Sequence, residues 1–345
     1  MRVLMTGHMG YIGTVAVPLF QKAGHEVTGL DTDLYRNSTF GTDVGPSGQI
    51  STLRVDIRDV TPDHLKGFDV VVHYAGLSND PLGNLNPELT YDINYRATVR
   101  VAKAAKAAGV KRFIFSSSCS NYGAAGDNFI DETAGFNPVT PYGKSKVMGE
   151  WESAILADSS FSPVFMRSST AYGMSPRLRF DLVLSNLTAW AFTTGDILLK
   201  SDGTPWRPIV HIEDIARAFL AVAEAPRDKV HLQAFNVGST DENYRILEIA
   251  KMVEEVVPGA KIRFSADAGP DLRCYRVNCD KLTKTFPHAK PQWTARKGVE
   301  QAYETYKSIG LKAEDFEGAR YQRVAHLRSL IAANELGEDL RWRRA

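Results

Sequence analysis

Residues 1–13 read Met-Arg-Val-Leu-Met-Thr-Gly-His-Met-Gly-Tyr-Ile-Gly, and the reading of this stretch decides the fold. Arg2–Thr6 is a short apolar run with the character of a strand. It ends in Gly7, Gly10 and Gly13, spaced G-x-x-G-x-x-G, and a helical pattern carrying Val15, Val17, Leu19 and Phe20 follows. Strand, glycine-rich turn and helix in that order make a phosphate cradle. The glycines permit the tight turn and let backbone approach a pyrophosphate at the positive end of the helix. The spacing departs from the G-x-G-x-x-G fingerprint, so the context carries the assignment. Tyr11 and Ile12, inside the turn, are counted with the glycines as candidate dinucleotide contacts.

Outward from the turn, Glu26–Leu30 reads as a second strand closing on Asp31. A carboxylate there accepts hydrogen bonds from an adenosine ribose and repels a 2′-phosphate, which favours NAD over NADP. Arg36 tempers this preference, because a guanidinium can pair with a 2′-phosphate; otherwise Asp31 is a strand-end turn acid. Residues 50–55 give a third strand followed by Asp56 and Ile57, with Asp56 placed either to reach an adenine amino group or to serve the turn. Further strands are expected at 69–74, 112–116, 162–167 and 233–237, with helices near 88–108, 141–156, 211–225, 244–257, 295–308 and 315–335.

Strands alternating with helices imply a parallel, doubly wound sheet, and their continuous apolar character fits burial on both faces. The expected fold is α/β: a Rossmann-like doubly wound parallel sheet with a smaller mixed α/β C-terminal domain. After Tyr172 the rhythm breaks into an excursion rich in proline, arginine and glycine. The expected division is therefore 1–173 with 209–239 for the cofactor domain, and 174–208 with 240–345 for the substrate domain.

Bulk composition narrows the function classes. With 345 residues, 43% hydrophobic and 23% charged, the chain has an ordinary globular balance. A formal net charge of +1 supplies no field that would recruit nucleic acid or a membrane surface. Cys119, Cys274 and Cys279 form neither a metal-type cluster nor a secreted disulfide scaffold, so no metal is expected. No apolar stretch approaches the roughly 20 residues of a spanning helix, and no signal peptide is read at the start. The expectation is a reduced, cytoplasmic protein.

Residues 142–146 read Tyr-Gly-Lys-Ser-Lys. On a helix, a four-residue spacing stacks Tyr142 and Lys146 on one face. A free phenol titrates at roughly pH 10, and an adjacent ammonium favours its phenolate. Such a tyrosine can exchange a proton with a substrate hydroxyl near neutral pH. The spacing alone is common on solvated helix faces; the other motifs, with Ser118 in the serine run upstream, give it weight.

Taken together, these motifs resemble those of the extended short-chain dehydrogenases/reductases of the nucleotide-sugar epimerase/dehydratase type. The resemblance runs from Met1 to about residue 308 through Gly7–Gly13, Asp31, Asp56, His73-Tyr74-Ala75-Gly76-Leu77, Asn94, the block from Ser116 to Gly123, Tyr142/Lys146, Arg167, and Arg207 ahead of His211. It implies that Tyr142 is the acid/base, that Lys146 lowers its pKa and holds the nicotinamide ribose, and that Ser118 bonds the same sugar hydroxyl. It implies NAD as cofactor, contacted also by Ile57, Tyr74, Ala75, Gly76 and Asn94. The implied partner is a nucleotide-diphosphate sugar, met by Ser78, Asn79, Thr170, Arg177, Arg179, Asn186, Arg207 and Arg273. A homodimer through the helices near 88–108 and 141–157 is expected on the same basis.

Departures sharpen the expectation. The 4,6-dehydratases of this type carry an Asp-Glu pair where this chain has Cys119 and Ser120, which disfavours 4,6-dehydration. Cys119 is expected to be small buried packing. Thr170 stands where an asparagine is usual, and Ala268 where an arginine is usual, with Arg273 close by as its replacement. The expected activity is a nucleotide-sugar epimerase, at C4, working through a transient keto sugar. The alternatives are a 4-dehydrogenase or 4-ketoreductase, and a non-catalytic NAD-binding scaffold, against which the intact Ser-Tyr-Lys set speaks. The arginine-rich residues 315–335 and the closing Arg341-Trp342-Arg343-Arg344 read as a docked terminal helix with a solvated face.

Overall fold

The computed structural model describes residues 1–41, 43–78, 86–269 and 274–343. The strands in chain order are β1 (Arg2–Thr6), β2 (Glu26–Leu30), β3 (Thr52–Leu53), β4 (Val70–His73), β5 (Arg112–Ser118), β6 (Ala124–Ile130) and β7 (Ser162–Ser168). They continue as β8 (Thr170–Tyr172), β9 (Asp196–Ser201), β10 (Trp206–His211), β11 (Ala234–Val237), β12 (Asn243–Arg245), β13 (Lys261–Gly269) and β14 (Cys274–Val277). Seven of them form one sheet in the order β11-β7-β5-β4-β1-β2-β3, with every pairing parallel. The chain winds outward from β1 through β2 and β3, then restarts at β4 and winds the other way. The crevice between β1 and β4 is thus a topological switch point, where α/β sheets bind ligands beyond their carboxyl ends.

The apolar runs of the sequence become strands because both faces of the sheet are covered. Val3, Met5, Val70, Val72 and Ile114 join one buried cluster, while Leu4, Val71, Phe113 and Phe115 join the cluster on the other side. Alternate side chains of one strand therefore feed two cores. The helix Pro141–Ile155 starts where Thr140 accepts the Gly143 N–H at 3.1 Å, with Pro141 in the first turn. A hydroxyl cap and an N1 proline are the usual marks of a helix start.

The single helix expected near 88–108 is instead Pro87–Tyr91, a π-helical turn Asp92–Arg96, and Ala97–Ala107. Its cause lies in tertiary bonding: Asn94, within the wide turn, accepts the Leu77 N–H at 2.7 Å and donates to the Leu77 carbonyl at 2.8 Å.

The excursion carries structure of its own, with a helix Val183–Thr194 running into β9. β9 pairs in parallel with β13, β14 with β6, and β10 sits between β8 and β12. Leu184, Leu187, Ile197, Leu199, Ile249 and Val253 close a separate small core. The helix expected over 315–335 is split into Ala313–Glu317 and Arg323–Ala332. Gly318 stands at the break, where a Cβ would lie 2.5 Å from the Glu314 carbonyl oxygen. Arg320 and Arg328 are exposed as expected, but Arg323 and His326 are buried. The face read as solvated is therefore partly packed against the sheet domain. No helix among the described residues is long and apolar enough to cross a membrane.

Candidate active site

A cleft of about 1240 Å³ runs along the carboxyl edge of the main sheet. Its walls bring together most of the residues singled out in the sequence. Gly7, Gly10, Tyr11, Ile12, Gly13, Asp31, Asp56 and Ile57 line one end, and Tyr74, Ala75, Gly76, Ser118, Tyr142 and Lys146 the centre. Ser78, Thr170, Arg179, Asn186 and Arg207 line the remainder. Asn79 and Arg273 lie outside the described residues.

The glycine turn is fixed by contact distance. A Cβ on Gly13 would lie 2.3 Å from the Gly7 carbonyl oxygen, and one on Gly7, whose φ is +73°, would lie 2.7 Å from the Ala75 nitrogen. Asp31 then clamps the turn, its two oxygens accepting the Met9 N–H at 3.0 Å and the Asp33 N–H at 2.8 Å. Beneath it His8 is buried, and burial lowers its pKa to about 4, so the imidazole is neutral near pH 7. Its Nε2 lies 3.1 Å from Thr52 Oγ1, and a Cβ on Gly29 would meet its ring at 2.3 Å. This buttress escaped sequence reading, because a histidine inside the turn looks like a loop residue. Backbone that only glycine allows, beside a carboxylate in the cleft wall, suits a dinucleotide.

Asp56 has both oxygens engaged by Arg58, at 2.9 Å from Nε and 2.6 Å from Nη2. It also caps the turn after β3 by accepting the Arg58 N–H at 2.8 Å. In this structure it therefore does the work of a turn acid from within the cleft wall.

At the centre, β5 ends in Ser118, whose Oγ accepts the Ser120 N–H at 3.1 Å and starts the following 3-10 turn. Tyr142 and Lys146 lie on the buried face of their helix. Lys146 Nζ is 5.8 Å from the Tyr142 ring centroid and donates to the Ser116 carbonyl at 2.8 Å. Burial lowers the Lys146 pKa to about 8, with Glu150 opposing. Ser118, Tyr142 and Lys146 are each less than a tenth exposed. An ammonium beside a phenol favours the phenolate, the form that accepts a proton from a hydroxyl.

Below this trio lies a buried network that the sequence did not announce. Glu150 accepts from Ser117 Oγ at 2.5 Å, Asn121 Nδ2 at 3.0 Å and Arg167 Nη2 at 2.8 Å. Arg167 also donates to the Tyr122 hydroxyl, which donates to Asn236 at 2.7 Å. The network ties the helix of Tyr142 to β5, β7 and β11. One signal was available: Tyr142, Lys146 and Glu150 recur every four residues, one continuous buried face. Cys119 belongs to this floor, with Sγ 3.1 Å from the Arg167 carbonyl oxygen, and burial pushes its thiol up to about 12. It is packing, and it does not line the cleft.

Two expected contacts sit elsewhere. Arg177 does not line the cleft; it pairs with Asp33 at 2.9 Å and donates to the Tyr35 carbonyl, bracing the loop after β2. Asn94 is spent on the Leu77 backbone and likewise does not line the cleft. Arg179 does line it, held by a two-pronged pair with Asp181 at 3.0 and 2.7 Å and donating to Ser78 Oγ at 2.8 Å. Asn186 donates to the Phe180 carbonyl at 2.9 Å, and Arg207 to that of Trp206 at 2.9 Å.

Fold and site together are those of a dinucleotide-binding oxidoreductive enzyme, and comparison with known proteins narrows the class. Residues 3–238 match the NAD dependent epimerase/dehydratase family, and the chain belongs to that family. It is 26% identical over 340 residues to mouse UDP-glucose 4-epimerase, covering 88% of this chain and 94% of that one. It is similar to the structure of MoeE5 in complex with UDP-glucose and NAD, with a TM-score of 0.76 and 25% identity over 90% of this chain and all of the other. The NAD-dependent NDP-hexosamine 5,6-dehydratase TunA shares the fold, with a TM-score of 0.79 and 21% identity over 89% and 98% of the two chains. The chain is thus an NAD-dependent enzyme of the nucleotide-sugar epimerase/dehydratase family.

Proposed function

We propose that this enzyme is a nucleotide-sugar 4-epimerase. One observation carries the proposal: Ser118, Tyr142 and Lys146 converge in the cleft while residues 119 and 120 offer a buried thiol and a hydroxyl in place of a carboxylate pair. The Tyr142 oxygen takes the proton of the sugar 4-hydroxyl. Lys146 stabilises the phenolate form of Tyr142 that accepts this proton, and Ser118 orients the hydroxyl by hydrogen bonding. Bound NAD supplies the hydride acceptor and, in the reverse step, the donor. With the hydride returned to the opposite face, Tyr142 gives its proton back and the epimer forms. Asn186 and Arg207 hold the diphosphate, since a guanidinium fork matches phosphoryl oxygens. UDP is the nucleotide to try first, because the mouse relative acts on UDP-glucose and MoeE5 holds it.

The deciding experiment is chromatography of products from UDP-glucose and UDP-galactose incubated with the purified chain without added cofactor. Interconversion with no net rise in absorbance at ~340 nm, the NADH band of this hydride chemistry, is expected. Stoichiometric NADH accumulation would instead establish the 4-dehydrogenase alternative. We further propose a homodimer through the helical stretch 87–107 and the helix Pro141–Ile155, whose Trp151 and Ile155 are exposed by 60% and 80%; a monomer by light scattering would refute it.

A further inference from the structure

Arg323 opens the helix Arg323–Ala332, well beyond the residues that match the family. Its side chain is 3% exposed and lines the cleft. The guanidinium carbon stands 3.8 Å from the centroid of the Tyr35 ring, and Nη2 donates to the Arg177 carbonyl at 2.8 Å. Nη1 is buried and has no hydrogen-bond partner among the described residues. Neighbouring Arg177 and Arg179 each have a carboxylate, Asp33 and Asp181. Among the described residues no carboxylate forms an ion pair with Arg323. Burial brings its pKa down only to about 10, so it remains a cation at neutral pH.

An unpaired buried charge with an idle N–H is costly, and the great majority of buried polar groups have a hydrogen-bond partner. Here the residue lines a cleft; the Asp181 carboxylate acts on it through space without pairing with it, and an anion in the cleft would supply the contact it lacks. The loop from Asp31 to Tyr35 flanks it on one side, and Tyr11 of the glycine turn shares its electrostatic surroundings. That turn is where backbone approaches a pyrophosphate, while Asp31 opposes a phosphate on the ribose.

We propose that Arg323 is a ligand of the cofactor's pyrophosphate, donating a guanidinium N–H to a phosphoryl oxygen while Tyr35 holds the guanidinium plane. The segment that follows the family-matched region thereby completes the NAD site. This inference rests on NAD binding alone and is independent of which sugar reaction the enzyme performs.

The test is equilibrium binding by the full chain, followed by tryptophan fluorescence, with NAD, ADP-ribose, adenosine, NADP and UDP as probes. Arg323→Gln should weaken NAD and ADP-ribose alike by about tenfold or more, the usual scale for a charged hydrogen bond, and leave adenosine unchanged. The same variant should show a flatter salt dependence of NAD binding. Arg323→Lys, which keeps the charge and loses the stacked fork, should fall between, and it carries the test if the glutamine variant does not fold. Arg320→Ala, which unties the same segment from the Thr39 carbonyl at the surface, should leave NAD affinity intact. Unchanged NAD affinity in Arg323→Gln overturns the proposal. So does a loss confined to NADP, a loss confined to UDP, or an equal loss in Arg320→Ala. A wild-type chain that binds NAD but converts no nucleotide sugar would defeat the epimerase proposal and leave this one standing.

Discussion

The two ends of the cleft are built on opposite principles. The cofactor end is backbone: Gly7 and Gly13 leave no room for a Cβ, and Asp31 holds the turn through main-chain N–H groups. The facing wall is long side chains held by other side chains, as in the Asp181–Arg179–Ser78 chain. Backbone geometry is set locally and tolerates almost no change of residue. Side-chain arrays are assembled from distant positions and can be retuned one residue at a time. This contrast predicts one rigid site for a shared cofactor beside an adjustable site for the substrate.

The sharpest separation comes at the centre. Tyr142→Phe should lower kcat by about 10²–10⁴-fold, the range for losing a general acid/base, while NAD remains bound; loss of NAD instead would make Tyr142 part of the cofactor end. Gly13→Ala should do the reverse, destabilising the fold by about 3 kcal/mol, the upper part of the usual overpacking cost. It should also release the nucleotide, as read by melting temperature and nucleotide content. Arg207→Ala should raise KM for the nucleotide sugar roughly tenfold with kcat nearly kept, the effect of losing uniform binding.

Two milder tests follow from charge. The Lys146 ammonium, with its pKa lowered to about 8, loses its charge as pH rises through that value, so kcat should fall on the alkaline side. His8 and His73 are held neutral, with pKa values lowered to about 4 and 3 by burial. Between pH 6.5 and those values the unfolded chain binds protons that the native chain does not. Stability should therefore drop as pH falls through that window, seen as a declining melting temperature. Arg36→Ala should have the smallest effect. Its guanidinium is committed to Glu335 at 3.2 Å and to the Trp342 ring at 3.8 Å, so NAD preference over NADP should not change.

The same contrast explains what could be read in the sequence. The strands of the main sheet were legible because burial on both faces leaves continuous apolar runs, and the turn because only glycine fits it. Tyr142 and Lys146 were legible because one helical turn separates them. The π-helical turn at Asp92–Arg96 was not, since its cause is the bond between Asn94 and Leu77 from another element. Arg177 and Arg179 look equivalent in sequence, yet one braces Asp33 and the other faces the cleft. The role of Arg323 was hidden for a similar reason: its neighbours Tyr35 and Arg177 are remote along the chain. Interactions that close long loops leave no local period to detect.

The packing of the segment after residue 311 has a consequence for how the molecule is made. Arg320 bonds the Thr39 carbonyl, His326 that of Leu34, and Trp342 that of Thr32, all on the loop after β2. Translation delivers the glycine turn first and these anchors only after every motif of the family has left the ribosome. Ser118, Tyr142 and Lys146 are thus synthesised well before the residues after 311 that wall the cleft. A premature stop within the segment would leave a polypeptide with the family's motifs intact and the cleft wall formed by Gln322, Arg323 and Ala325 missing.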